Sequence, residues 1–161
     1  MGQRYDPIRN FNFTVDFSWT EMPDGVTNGI TFGFQKVSGL KSDVDVVEYR
    51  EGGDNISVRK LPGLVKWEPI TCEKGVVNSL DLWKAFNILT TIGDEYGTKK
   101  NYRGTLTITV KSRSNTTSVR KYVCEKAWVS SYEVGELDAQ GNAVLIERVV
   151  FQHEGFEVTN S

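Results

Sequence analysis

Apolar and polar residues alternate with a period of two through much of the chain. Phe11, Phe13, Val15, Phe17 and Trp19 are separated by Asn12, Thr14, Asp16 and Ser18, the pattern of a strand buried on one face. Pro23-Asp24-Gly25 and Asn28-Gly29 mark a loop over Thr20 to Gly29, after which Ile30, Phe32 and Phe34 resume the alternation. Two antiparallel strands joined by that loop are predicted. Asp43 to Arg50 nearly alternates again, Glu51-Gly52-Gly53-Asp54-Asn55 supplies the residues of a sharp reversal, and Ile56 to Leu61 runs back. That is a long hairpin with a charged tip. A further strand follows over Val65 to Lys74, where Pro69 places it at an edge or a bulge.

One stretch has helical spacing. Leu82, Ala85, Phe86, Leu89 and Ile92 share a stripe within Asn78 to Ile92, and a helix over about residues 79–92 is predicted. Asn78 or Ser79 is positioned to cap it, Asp81 lies in the first turn, and Gly93 closes it. Trp83 sits about a right angle from the stripe, as a core-edge aromatic or a contact with another chain. Beyond a polar loop from Gly93 to Gly104, Leu106, Ile108 and Val110 alternate with threonines. A turn over Arg113 to Thr117, a strand over Val119 to Val129, a loop over Gly135 to Asn142 and one or two strands within Ala143 to Val158 complete the chain, with a bulge expected at Gly155. Eight to ten strands and one helix, joined mostly by turns, predict a mainly β fold. The architecture is an antiparallel β-sandwich or partly closed β-barrel with a protruding hairpin, as a single domain over 1–161.

Composition narrows the picture. The chain has 161 residues, 39% of them hydrophobic and 25% charged, enough for one domain burying about 70% of its unfolded surface. A net charge of −2 argues against a broad basic face gripping nucleic acid. No apolar run approaches a membrane span, and the N-terminus lacks the apolar centre of a signal peptide, so synthesis in the cytoplasm without membrane anchoring is expected. Cys72 and Cys124 have no partner at metal spacing and read as buried, reduced thiols, with a disulfide the alternative.

Candidate chemistry is sparse. His153 is the single histidine and reads as a structural residue of a strand-like run. Lys99, Lys100 and Arg103 near Tyr102 read as a solvated loop. No nucleophile elbow, phosphate loop, dinucleotide fingerprint or metalloprotease helix is present, so no catalytic, cofactor-binding or metal residues are assigned and a non-enzymatic protein is expected. Two readings from other classes stay open: a monomeric β-sandwich binding module using Tyr96 and Tyr102, and a hydrolase using His153.

Several separated motifs occur in a telling order. They are Asp6-Pro7-Ile8-Arg9-Asn10-Phe11-Asn12-Phe13, the run from Val37 to Asn55, the run from Arg59 to Val76, Leu82-Trp83, Ala127-Trp128, Gly141-Asn142 and His153-Glu154-Gly155. With these the chain resembles the inner tube proteins of contractile phage tails and of related bacterial contractile injection particles, whose fold is similar to the haemolysin-coregulated protein of type VI secretion. It departs from them in the long Thr20 to Gly29 loop, in Lys84-Ala85 after Trp83, and over Gly93 to Arg120.

The resemblance implies a structural subunit without cofactors. It implies homo-hexameric rings stacked into a rigid conduit, with a lumen lined by a continuous ring of strands and carrying DNA or protein effectors. The implied partners are a contractile sheath, a baseplate hub and tube-terminating proteins, and the implied destination is a phage tail or an injection particle released from the cell. A baseplate-proximal ring subunit is the alternative within the family. By this likeness the Val44 to Leu61 hairpin reaches a neighbouring subunit or ring. The interface residues are then Val44, Val46, Glu48, Tyr49, Arg50, Glu51, Asp54, Asn55, Arg59, Lys60 and Leu61, with Trp83 on the helix. The residues agree with that role: Glu48, Arg50, Glu51, Asp54, Arg59 and Lys60 can set register by charge, and Val46, Val47, Ile56 and Val58 can supply buried area.

Overall fold

The structure, a computed structural model, describes residues 8, 10–20, 29–50, 52–53, 58–91, 102–112, 114 and 117–160. In chain order its elements are β1 (Phe13–Trp19), β2 (Ile30–Phe32), β3 (Lys36–Ser38), β4 (Ser42–Tyr49), β5 (Arg59–Trp67), β6 (Ile70–Gly75), α1 (Asp81–Thr91), β7 (Gly104–Lys111), β8 (Ser118–Val134), β9 (Ile146–Gln152) and β10 (Phe156–Asn160). Every pairing is antiparallel. The main path runs β2-β1-β7-β8-β9-β6-β3, with β10 also on β8, and among the described residues β4 pairs only with β5. Among the described residues the mainly β, one-helix expectation holds, as two layers and not a closed barrel.

β8 makes the layers. Its first half pairs with β7 on one side and β10 on the other, from Arg120 to Cys124; its second half, Trp128 to Val134, pairs with β9. The change falls at Lys126, whose φ is 51°, next to Glu125, which faces Gly155 at φ 153°. There the Glu125 amide donates to the Gly155 carbonyl at 3.1 Å and the Glu154 amide to the Glu125 carbonyl at 3.3 Å. A left-handed backbone at Lys126 bends the strand as a bulge does. The first layer is thus β2, β1, β7, the first half of β8 and β10. The second is the other half of β8, β9, β6 and β3. The expected irregularity at Gly155 lies in this joint, between β9 and β10.

Alternation sends one face of each layer into a shared core. Val15, Phe17, Leu106, Ile108 and Cys124 come from the first layer and Ile70, Cys72, Val129, Val149 and Phe151 from the second, all buried. The Phe17 and Phe151 rings meet across the gap with centroids 5.5 Å apart. Leu82 and Ala85 of α1 join this cluster, and Trp83 and Phe86 lie against Tyr132 of β8.

Several boundaries differ from expectation. β1 begins at Phe13, leaving Phe11 exposed, and Phe34 is buried but beyond β2. The return strand of the hairpin starts at Arg59 and reaches Trp67, through Pro62-Gly63; an extra residue there is absorbed by a register shift opposite Val44 to Val46. The predicted Val65 to Lys74 strand is therefore divided between β5 and β6, and Pro69 occupies the break. β6 is interior, with β3 and β9 on its two sides. Helix α1 starts at Asp81, and its first turn is closed by the Lys84 amide donating to the Leu80 carbonyl at 2.8 Å. The Ser79 hydroxyl donates to the Asp81 carboxylate instead of capping a backbone amide. β8 continues five residues past Val129 to Val134 because β9 supplies pairing that Ser130-Ser131-Tyr132-Glu133 does not advertise. The Thr20 to Gly29 turn signals at 21–28, Ile56, Ile92, Gly93, Tyr96, Lys99 and Lys100 lie outside the described residues.

Two predictions follow from the core. A Cβ at Gly104 would lie 2.3 Å from the Ser18 carbonyl oxygen and 2.8 Å from Phe17 Cζ. Gly104→Ala should therefore destabilise the fold by about 1–3 kcal/mol, read as a lower urea midpoint. Cys72 and Cys124 are free and buried, and burial pushes both thiols from 9.0 up to about 12. Because the unfolded chain releases those protons first, stability is fully present below pH 9.0, falls as pH rises, and is lost through about 12. Urea midpoints across alkaline pH should decline over that window, less steeply in Cys72→Ala, and iodoacetamide should label the thiols only after unfolding.

Candidate assembly surface

Both faces of the β4–β5 ribbon are uncovered. Every residue of β4 is exposed, and all of β5 except half-buried Gly63. Register places Val44 opposite Val65, Val46 opposite Pro62, Val47 opposite Leu61, Glu48 opposite Lys60 and Tyr49 opposite Arg59. Since side chains alternate, Val44, Val46, Val65, Pro62 and Trp67 form an apolar face, with Glu48 and Lys60 at its outer end. Val47, Leu61, Tyr49 and Arg59 share the other face with Asp43 and Lys66. Val46 is 61% exposed and Leu64 76%, on a two-stranded ribbon of a kind that is marginal alone in water, which makes this surface the candidate for assembly. Lys66 pairs with Asp45 at 2.9 Å, and that hydrogen bond raises the Lys66 ammonium above its ordinary value.

The root of the ribbon is built differently. Trp67 packs edge-on against Phe156 at 5.0 Å and near His153 at 6.2 Å. The Gly155 amide donates to His153 Nδ1 at 3.2 Å; a backbone N–H can only donate, so the ring proton sits on Nε2, which donates to the Glu68 carbonyl at 3.0 Å. Lys41 binds Asp43 at 2.6 Å, and its carbonyl accepts from the Glu68 amide at 3.1 Å. Gly39, at φ 98°, passes so close that a Cβ there would lie 2.0 Å from the Pro69 carbonyl oxygen. His153 thus takes the structural place expected of it, bolting the hairpin to the joint in β8.

Of the residues assigned from sequence, Val44, Val46, Glu48, Tyr49, Arg59, Lys60 and Leu61 come together on the ribbon, with Arg50 just beyond β4. Glu51, Asp54 and Asn55 lie outside the described residues. Trp83 is elsewhere, on α1, 42% exposed and edge-on to Tyr132 at 5.5 Å. Tyr132 donates to Glu147 at 3.2 Å, and Glu147 faces Lys74 at 3.8 Å in the buried end of β6. The hairpin leaves the sheet beside Ile70, at the other end of that same strand. Around the Trp83 end, Val76, Val77, Leu80, Val134, Leu137 and Val144 are also exposed. Sequence reasoning missed these and Leu64, Val65 and Trp67; the one available signal was apolar residues adjoining turns, where water would otherwise favour polar ones.

The outer face of the second layer is largely polar, with Ile146 and Val150 among its residues, and is crossed by a row of charges. Lys36, Glu73, Arg148 and Glu133 stand directly opposite one another on β3, β6, β9 and β8. The separations are 3.9 Å for Lys36–Glu73, 3.0 Å for Glu73–Arg148 and 3.2 Å for Arg148–Glu133. The Glu73 hydrogen bond, then the Glu133 charge, hold the Arg148 guanidinium above its ordinary value. Among the described residues no group of three or more His, Cys, Asp or Glu is placed to hold a metal ion.

Solved structures share this fold. The chain superposes on a component of the anti-feeding prophage baseplate with a TM-score of 0.81 at 22% identity, covering 98% of each chain. For an extracellular contractile injection system, the PVC sheath-tube complex in the extended state, the TM-score is 0.75 at 22% identity, covering 96% of this chain and 93% of the other. Hcp1 from Flavobacterium johnsoniae matches with a TM-score of 0.51 at 12% identity, covering 91% and 95%. No curated protein matches. The family model described as T4-like virus tail tube protein gp19 matches residues 9–157, and the chain accordingly belongs to that tail tube protein family.

Proposed function

We propose that the chain is the repeating, non-catalytic subunit of an inner tube, assembling as hexameric rings that stack into a conduit inside a contractile sheath. The observation that carries this reading is the β4–β5 ribbon, rigid at its root and apolar on exposed faces. A ribbon so constructed is complete only when another copy covers it. The apolar surface around Trp83, at the opposite end of β6, supplies a second contact region, so head-to-tail stacking engages both ends of each subunit. Solved neighbours titled as baseplate, sheath-tube complex and tube terminator favour partners of those kinds. The outer face of the second layer, whose charges are paired, suits a lumen wall passing DNA or protein effectors without holding them. The particle is a phage tail or an injection device assembled from subunits made in a bacterial cytoplasm.

The ribbon gives the test. Replacing 44–65 by a short Gly-Ser turn, while keeping Trp67, should leave folded subunits that no longer form long tubes. Val46→Asp should lower tube yield at least about tenfold, as burying an unpaired carboxylate opposes assembly. Its melting temperature as a monomer should move by no more than about 2 °C, since the site is exposed. Sedimentation and negative-stain microscopy read assembly, and circular dichroism reads folding. Normal tubes from the shortened chain would overturn the role of the ribbon. Single rings without stacking in the parent would favour a baseplate-end subunit, and a parent monomeric at high concentration would favour a binding module.

A further inference from the structure

The charge row across the second layer ends at two strands with nothing beside them. Among the described residues, β3 has β6 on one side and no strand on the other, and the Trp128 to Val134 half of β8 has β9 on one side only. Lys36 stands at the first edge and Glu133 at the second, with side chains 63% and 60% exposed. The row reads plus, minus, plus, minus from β3 to β8. Placed edge to edge, two copies bring the Lys36 end of one against the Glu133 end of the next.

Strand direction permits that junction. The layer has four strands, each antiparallel to its neighbour, so β3 and the second half of β8 run in opposite directions. In a ring whose copies all point the same way along the axis, β3 of one copy therefore meets β8 of the next as an antiparallel pair; an odd number of strands would make the joint parallel. Such a head-to-tail contact is heterologous and closes by rotation.

Resting on the ring reading above, we infer that Lys36 of one copy pairs with Glu133 of the next, fixing the register in which subunits join and continuing the alternating row around the ring. β3 is three residues long, so its backbone alone specifies register weakly. A slip by one residue would turn the row to the other face, and a slip by two would set Lys36 against Ser131 or Gly135, neither of them acidic. The ion pair thus discriminates between registers that backbone pairing tolerates.

Two chains carrying one change each, Lys36→Cys and Glu133→Cys, are mixed, assembled and oxidised. Directly opposite residues on antiparallel strands lie about 4.5–5.5 Å apart at Cα, within disulfide range. The expected product on a non-reducing denaturing gel is a covalent dimer that goes no further, because each chain offers one half of the junction. A single chain with both changes should instead yield a ladder of oligomers up to the ring. Native Cys72 and Cys124 are buried and leave the parent lane unlinked. The slipped combination, Ser38→Cys with Glu133→Cys, should cross-link at least about tenfold less, since two residues along a strand is roughly 7 Å. Separately, Lys36→Ala should lower ring yield at low salt, and added salt should narrow its difference from the parent. Rings that form without the in-register cross-link, or equal linking by the slipped pair, would overturn the inference while leaving the tube reading intact. A parent chain that never forms rings would remove both.

Discussion

Seventeen residues of β8, Ser118 to Val134, hold both layers of the molecule together, and the remaining elements depend on that strand changing partners midway. A strand this long cannot stay in one sheet without its twist carrying its ends apart. Here the bend is concentrated at Lys126, in the left-handed region, where a non-glycine residue is kept only if its surroundings hold it. The surroundings are specific: Lys126 pairs with Glu154 at 2.8 Å, Glu154 also binds Arg103, and together these cations hold the Glu154 carboxyl below its ordinary range, Lys126 contributing most. The exposed pairs are weak individually, but they lie over backbone hydrogen bonds that join β8 to the Glu154-Gly155 segment.

The same joint anchors the hairpin. Gly155 lies under the Trp67 indole at a positive φ of 153° and supplies the amide that fixes the His153 tautomer. Core folding and hairpin placement are thereby coupled through a few residues. The ribbon itself lies beyond the shared core, so its direction is set at its root while Val44, Val46 and Val65 stay exposed; the proposed contact with another copy accounts for their being apolar.

Elements defined by local alternation were legible in the sequence. Val15, Phe17 and Trp19 face inward as their spacing requires, and Leu82 and Ala85 mark the buried side of α1. Elements defined by distant pairing were not. Ser130 to Glu133 looks like the end of a strand until β9 is seen beside it, and Pro62-Gly63 looks like a stop until the extra residue is absorbed opposite Asp45. The hairpin was legible as an element, whereas its root was not, because Trp67, His153 and Phe156 are brought together by topology alone. The charge row is the extreme case: Lys36, Glu73, Glu133 and Arg148 share no local motif, and only the register of four strands makes them neighbours.

On the proposed tube reading, that row bears on how a conduit wall can be both wetted and unsticky. An apolar face would invite association; a face of one sign would attract a polyanion or a basic protein along its whole length. Pairing each cation with an anion within about 3–4 Å makes the field of the row fall off faster than that of isolated charges, and salt screens the remainder beyond about 8 Å. Hydration is retained while long-range attraction is lost. For a chain of net charge −2 with 40 ionised lysine, arginine, aspartate and glutamate side chains, near-neutrality arises from balance and not from scarcity, and on this face the balance is enforced residue by residue through strand register.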